Sequence, residues 1–341
     1  MNRFSYVRAE SIEDAVAALA AEPGAKLVAG GTNLIDLMKY DVETPSRLID
    51  ITRIRGLDRI EAIEGGGLMI GALVSNTAIA YHPLTAGRFP LLASAVLAGA
   101  TPQLRNAATA GGNLNQRTRC YYFYDAVLPC NKRQPGSGCP AREGVNRNHA
   151  ILGTSESCIA THPSDMCVAL AALGATVHVT GPEGRRVIPM SDYHRLPEDA
   201  PERDNTLAVG EMVLGIELPP EACRFARHHT YLKLRDRLSY AFALVSVAVG
   251  LDMSNNAIGH ARIALGGVAH KPWRRPEAEE LLVGRPPDGK TFEAAADMLL
   301  EGAHGYEHNA FKIDLARRAI VRALSQAAAG IPQSQTDKRI A

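Results

Sequence analysis

Apolar positions in this chain switch between a helical period and short strand-like runs, with no regular alternation of the two. Ser11 followed by Asp14 resembles a capping box, and Ala15, Val16, Leu19 and Ala20 follow at helical spacing. Gly24 ends that helix, and residues 26–29 read as a short strand. Residues 34–39 begin a second helix. Residues 48–51 and 68–70 are short strands, with helices expected around Ala78 and over 90–97. Further along, residues 165–173 are helical, and 176–180 and 186–189 flank the hairpin signal Gly181-Pro182-Glu183-Gly184. A polar loop at 197–206 leads to a strand at 212–218. Pro219-Pro220 is the strongest break. Beyond it, strands are expected at 230–234, 243–251 and 261–265, with a turn at Ser254-Asn255-Asn256. Helices follow at 276–282, 292–301 and 311–328.

This order predicts an α+β protein, not a doubly wound parallel sheet. The expected units are residues 1–220, with a long inserted loop at 114–162, then a smaller α+β unit at 221–330. A polar tail at 331–341 is expected to be mobile. A length of 341 residues suits two domains. Thirty-seven basic residues against 36 acidic ones leave a net charge of +1, which gives no basic stripe for nucleic acid. No run approaches the ~18 consecutive apolar residues of a membrane helix. The N-terminus lacks a signal-peptide apolar core. Folding in the cytoplasm is therefore expected, where clustered thiols serve metals or redox chemistry more often than disulfides.

The inserted loop holds Cys120, Cys130, Cys139 and Cys158, separated by nine, eight and eighteen residues. Pro129, Pro135, Gly136, Gly138, Pro140 and Gly144 prevent one long helix or strand there. Loops of this length in a compact domain are usually functional or disordered. Four thiols argue for order imposed by a bound metal centre. On the residues alone, a 4Fe–4S cluster and a structural Cys₄ zinc site are equal alternatives. Cys167, among Met166, Val168, Ala169 and Leu170, reads as a buried small hydrophobe, and Cys223 has no thiol neighbour. The run Tyr121, Tyr122, Phe123 and Tyr124 reads as packing for the loop, compatible with an apolar shell around a metal centre.

Three further motifs bracket the loop. In Lys26-Leu27-Val28-Ala29-Gly30-Gly31-Thr32-Asn33-Leu34, a strand runs into two glycines before a helix, an arrangement that can cradle phosphate. It lacks the dinucleotide G-x-G-x-x-G spacing and any Walker lysine. Thr109-Ala110-Gly111-Gly112-Asn113 reads as a second turn of the same chemistry, and two such turns could hold a pyrophosphate. In Thr161-His162-Pro163-Ser164-Asp165, Ser164 is a candidate helix cap and Asp165 an acceptor for a ribose or ring group. His162 reads as structural.

These three motifs, in this order, resemble the FAD-binding medium subunit of the xanthine dehydrogenase and aldehyde oxidase family of molybdenum hydroxylases. Tyr231-Leu232-Lys233 with Leu244-Val245-Ser246-Val247-Ala248, and Leu265-Gly266-Gly267-Val268-Ala269, resemble the family's second-domain motifs. The resemblance covers about residues 1–330. The runs from Thr118 to Asp125, Pro129 to Arg133 and Pro135 to Cys139 resemble the branch of bacterial periplasmic aldehyde oxidoreductases, whose FAD subunit carries a 4Fe–4S insert.

The resemblance implies a PCMH-type FAD-binding domain followed by a domain of the CO dehydrogenase flavoprotein type. It implies that Lys26 to Leu34, Thr109, Gly111, Gly112, Asn113, Asp165 and Lys233 surround FAD, with Lys233 near the flavin ring. It implies 4Fe–4S ligation by Cys120, Cys130, Cys139 and Cys158. It further implies a large molybdenum-pterin partner that oxidises an aldehyde to a carboxylic acid, a small 2Fe–2S partner, and an external electron acceptor. Export to the periplasm on a partner's signal would follow. The alternatives are the flavin subunit of a hydroxybenzoyl-CoA reductase-like enzyme, a stand-alone flavin oxidase, and a zinc-binding interaction protein. No residues form a nucleophile–base pair, so chemistry is expected to reside in cofactors.

Overall fold

Three sheets carry the fold. The computed structural model describes residues 1–335. The first sheet is parallel, in the order β1 (Ser5–Arg8), β3 (Arg47–Asp50), β2 (Ala25–Val28). The helix Ile12–Ala21 packs on it, capped by Ser11, which accepts from Asp14 N at 3.0 Å. Its small core gathers Ala15, Ile49, Ile54 and Leu57.

The second sheet has the order β4 (Ile60–Ala62), β5 (Leu68–Gly71), β8 (Met212–Leu218), β6 (Thr176–Gly181), β7 (Gly184–Pro189), antiparallel throughout. The main core contains the helix Pro90–Ala98 and the fully buried helix Asp165–Ala172. Both are apolar on nearly every face, as helices enclosed by other elements must be. Phe225, Tyr231, Ala248 and Ala264 from beyond Pro219-Pro220 join this core, so the two halves share packing.

The third sheet is the antiparallel meander β9 (His228–Leu234), β10 (Val245–Ser254), β11 (Ala257–Gly266), in the order β11-β10-β9. Asn255 and Asn256 turn the β10–β11 hairpin with φ of 48° and 59°, the left-handed pair a two-residue hairpin favours. The helices Pro276–Leu282, Gly289–Leu299 and Phe311–Ala329 cover the sheet. Gly330 at φ 67° ends the last helix in the left-handed conformation. Gln335 reaches back, donating to the Tyr231 carbonyl at 2.8 Å, so the tail is engaged through that residue. The remainder of the expected mobile tail, 336–341, lies outside the described residues.

The inserted loop has little regular structure, only the short helix Tyr121–Tyr124 and the 3₁₀ turn Pro140–Arg142. Its order comes from side chains. Asn131 accepts from Gly138 N at 2.7 Å and donates to the Ser157 carbonyl at 2.9 Å. Arg117 is held by Glu43 at 2.6 Å and Asp204 at 2.7 Å and lies over the buried Phe123 ring. Buried Lys132 reaches Asp204 at 2.5 Å and the Pro201 carbonyl at 2.7 Å. Burial alone would raise the Asp204 carboxyl, but Lys132, Arg117 and His270 hold it well below the usual carboxylate range.

Candidate functional site

A cleft of about 960 Å³ lies between the first two sheets and the third. Its volume is at the upper end for a ligand site. Thr32 and Asn33 supply one part of the wall, Gly112 and Asn113 another, Ser164 and Asp165 a third. Lys233, Ser246, Gly266 and Gly267 close it from the second domain. The three motifs of the first domain and the two of the second thus converge.

Local structure explains each position. Asn33 precedes the helix Leu34–Lys39, and its Oδ1 accepts from Arg117 N at 2.9 Å. Its Nδ2 has no partner within the protein, nor does Oδ1 of cleft-lining Asn76. Buried amide groups without partners are rare, and here both belong to residues of the cleft wall.

The expected second turn is instead the start of the helix Ala110–Leu114. Thr109 caps it, accepting from Gly112 N at 3.2 Å. The cap draws the glycine pair into helical conformation and leaves Gly112 on the cleft wall. Gly111 faces away, packed where a Cβ would lie 3.2 Å from that of Ala72.

Ser164 Oγ donates to Asn113 Oδ1 at 2.6 Å and accepts from Cys167 N at 3.1 Å, which joins the second motif to the third. Asp165 accepts from Tyr231 at 2.7 Å and from Lys233 Nζ at 2.7 Å. Lys233 also donates to the Ala98 carbonyl at 3.2 Å.

Some expected residues lie elsewhere. Lys26, Leu27, Val28 and Ala29 form or follow β2 and, with Leu34, do not line the cleft. Neither do Gly30, Gly31, Thr109 and Gly111. A Cβ on Gly30 would fall 1.8 Å from the Ala107 carbonyl oxygen, so this glycine serves close packing against the segment Pro102–Ala107. Other wall residues came with no sequence signal. Among them are Asn76, Arg105, Gln116 and Phe242, while Arg119 and Tyr124, singled out only within the run from Thr118 to Asp125, also line the wall. Arg119 stacks near Tyr124 and Phe242, at 5.8 and 5.2 Å from the ring centres.

The four loop cysteines line one small separate cavity with Tyr122, Phe123, Lys132 and Ala141. Turns deliver them. Cys120 precedes the helix Tyr121–Tyr124, and Cys130 accepts from the Ser137-closed turn through Gln134 N at 2.8 Å. Cys139 caps Pro140–Arg142, and Ala160 N donates to Cys158 Sγ at 3.4 Å. Burial pushes the Cys120 thiol up to about 12 and Cys158 to about 11, with neighbouring cysteines adding to both. Such thiols ionise at neutral pH only on binding a metal.

Sulfur spacing bears on the two metal alternatives. Among the described residues, only His162, Cys167 and His194 form a set of three or more ligand atoms within 4.8 Å of one another. No three of the loop sulfurs are that close, whereas a tetrahedral zinc with Zn–S of about 2.3 Å brings its sulfurs to about 3.8 Å. The spacing suits a polynuclear centre. His162 thus groups with Cys167 and His194, not with the loop thiols. Its ring stacks on His194 at 4.1 Å, and burial keeps His194 near a pKa of about 4, so both are neutral packing groups. Cys167 is fully buried, as read from its neighbours, and Cys223 lies by the Gly66 carbonyl.

Cys120 lines both cavities. Thr118 at the loop's entry does the same, and Tyr121, Asn148 and His149 line the cleft alone. The insert is therefore a wall of the cleft as well as the frame of the thiol cavity.

Comparison with known proteins agrees with this geometry. Residues 2–221 match the FAD binding domain in molybdopterin dehydrogenase, and residues 229–327 the CO dehydrogenase flavoprotein C-terminal domain. The aldehyde oxidoreductase FAD-binding subunit PaoB of Escherichia coli (strain K12) is 48% identical over 330 residues, spanning 96% of this chain and 99% of that one. The carbon monoxide dehydrogenase medium chain of Hydrogenophaga pseudoflava is 29% identical over 95% of this chain and 97% of its own. The solved CO dehydrogenase from Oligotropha carboxidovorans superimposes with a TM-score of 0.75 at 26% identity, covering 96% of this chain and 98% of that one. The α+β fold, the converging motifs and these likenesses agree: the chain belongs to the FAD-binding medium subunits of the xanthine dehydrogenase and aldehyde oxidase family of molybdenum hydroxylases.

Proposed function

We propose that this chain is the FAD- and 4Fe–4S-carrying electron-transfer subunit of a heterotrimeric molybdenum aldehyde oxidoreductase. In this reading an aldehyde is oxidised to a carboxylic acid on a large molybdenum-pterin subunit. Electrons pass through a small 2Fe–2S subunit to this chain, and from it to an external acceptor. Support comes from the 48% likeness to an aldehyde oxidoreductase FAD-binding subunit along nearly the whole of both chains.

Bound FAD supplies the two-electron exchange; the chain supplies position and electrostatics. Thr32, Asn33, Gly112 and Asn113 would meet the pyrophosphate and adjacent groups. Asp165 would hold the ribityl or ribose region, and Lys233 would bring positive charge toward the ring, tempered by its pairing with Asp165. The walls exclude water where Ala95, Val96, Met166 and Val168 line the cleft.

The observation that carries the cluster reading is the convergence of Cys120, Cys130, Cys139 and Cys158 on one cavity at spacings wider than zinc requires. The flavin subunit of a hydroxybenzoyl-CoA reductase-like enzyme would use the same cluster and is distinguished by substrate alone. Among the described residues no helix is long and apolar enough to cross a membrane. We place the assembled complex in the periplasm, exported on a partner's signal.

The test is anaerobic purification of the full chain followed by iron, acid-labile sulfide and flavin analysis. Four irons and four sulfides per FAD are expected. FAD bound without iron or sulfide would sink the cluster reading and leave the flavin reading standing.

A further inference from the structure

His149 stands between the two cavities. Its Nε2 lies 3.1 Å from Cys120 Sγ, and its side chain lines the cleft. Nothing in the motifs marked it.

The backbone of His149 is held by an extensive scaffold. His149 N donates to the Asn146 carbonyl at 2.9 Å. Its own carbonyl accepts from Lys312 Nζ at 2.8 Å and from Asn309 Nδ2 at 3.3 Å. Lys312 and Asn309 are both fully buried, and Lys312 also donates to the Gly267 carbonyl at 2.6 Å. Asn146, likewise fully buried, ties the same turn to the Ala141 carbonyl at 3.1 Å and accepts from His308 N at 3.0 Å. A main chain fixed this firmly sets the ring at hydrogen-bond distance from a sulfur, where it is placed to act on that sulfur. His149 Nδ1 is buried with no partner, which favours the tautomer carrying its proton on Nε2, toward Cys120.

We infer that His149 is a positioning residue for the iron–sulfur site, donating an Nε2–H hydrogen bond to the Cys120 thiolate and raising the reduction potential of the centre it ligates. The inference rests on the cluster reading above. Reduction adds one electron and makes or breaks no covalent bond, so the sulfurs become more negative. A donor aimed at one of them stabilises the reduced form more than the oxidised form. Hydrogen bonds to charged groups are worth about tenfold or more in an equilibrium. Of the four ligands, Cys120 is the one that also reaches the cleft wall, so the bond acts on the face of the centre nearest the flavin site.

The test is a dithionite titration of the full chain, with FAD and cluster in place, followed by the EPR signal of the reduced cluster. His149→Phe keeps a planar ring without the donor, and His149→Gln keeps an N–H. Iron, sulfide and FAD contents are measured for each. His149→Phe is expected to lower the cluster potential by about tenfold in the one-electron equilibrium, about 59 mV. His149→Gln is expected to recover part of that shift, and the flavin potential to stay put in both. An unmoved cluster potential in His149→Phe at full iron content would overturn the inference. So would equal shifts in the Phe and Gln variants, which would mark a packing effect. If His149→Phe does not hold its cluster, the Gln variant decides: wild-type potential supports the donor role, and a shift as large as tenfold overturns it. Absence of iron from the wild-type chain would bring down the cluster reading itself, and this inference with it.

Discussion

Lys233 Nζ and Asp165 Oδ2 meet at 2.7 Å across the cleft, a lysine of the third sheet paired with the carboxylate that opens a core helix of the first domain. Both side chains are buried, at 4% and 9% exposure. Tyr231 donates to the other carboxylate oxygen, so the pair is part of a network with Ser246. Replacing Lys233 with Met leaves a buried carboxylate without its cation. Breaking such pairs costs about 3–5 kcal/mol. The expected result is a clear fall in melting temperature and weaker FAD retention, read by calorimetry and flavin fluorescence. Asp165→Asn, which keeps an acceptor for Tyr231, should lose less stability.

Asn113→Ala removes the link between the second and third motifs. It frees Ser164 Oγ of its acceptor but leaves the cap on Cys167 N in place. The fold should survive with a loss of about 1 kcal/mol. FAD binding should fall tenfold or more, measured by flavin release on dilution.

Acid sensitivity follows from buried histidines. Burial lowers His194 and His270 to about 4 in the folded chain, against about 6.5 unfolded. Below pH 6.5 the unfolded chain takes up protons that the folded chain refuses. Stability is therefore full above pH 6.5 and falls as pH drops toward 4, by roughly 3 kcal/mol per histidine at the limit. Asp204, held low by Lys132 and Arg117, adds a second loss below the ordinary carboxylate range. Melting temperature against pH should show both steps, and His270→Asn should flatten the first. A melting temperature unchanged from pH 7 to 4.5 would contradict this account.

On the proposed cluster reading, Cys139→Ser should abolish iron binding while Cys167→Ala should not, by iron and sulfide analysis. Because the insert walls the cleft, loss of the centre should also weaken FAD retention in Cys139→Ser. Equal flavin affinity with and without the centre would show the shared wall to be rigid on its own.

Phe123→Ala tests the loop's anchor. The ring is fully buried beneath Arg117. Deleting it should cost about 3–5 kcal/mol and increase proteolytic cleavage within residues 114–162.

Much of the fold could be read from the chain. The helices Leu34–Lys39 and Pro276–Leu282 and the strand Met212–Leu218 stand at their expected bounds, each set by Gly or Pro punctuation and a clear period. Strand β1 was missed because all four of its residues are exposed and it gains its place only by pairing with β3. The helices Pro83–Arg88 and Pro102–Ala107 were missed for their shortness, although His82 and Thr101 cap them. Within the site, Asn33, Gly112, Asn113, Asp165 and Lys233 lay in motifs and reach the cleft. The close approach of the Ala107 carbonyl to Gly30 left no sequence signal, because the two are distant along the chain. Asn76 and His149 were invisible for the same reason: their roles come from tertiary proximity, which leaves no local pattern.

The hydrogen bond between Asn113 and Ser164 closes the base of the inserted loop. These residues flank the insert, so its two ends leave and rejoin the domain at nearly one point. A segment with coincident ends can be gained or shed without re-threading the strands around it, and its entropic cost grows only slowly with length. The thiol-bearing segment is thus a loop fastened at its base, while Ile151 and Leu152 within it pack into the core under the third sheet. A chain joined directly from Asn113 to Ser164 through a short linker should still bring the second and third motifs together.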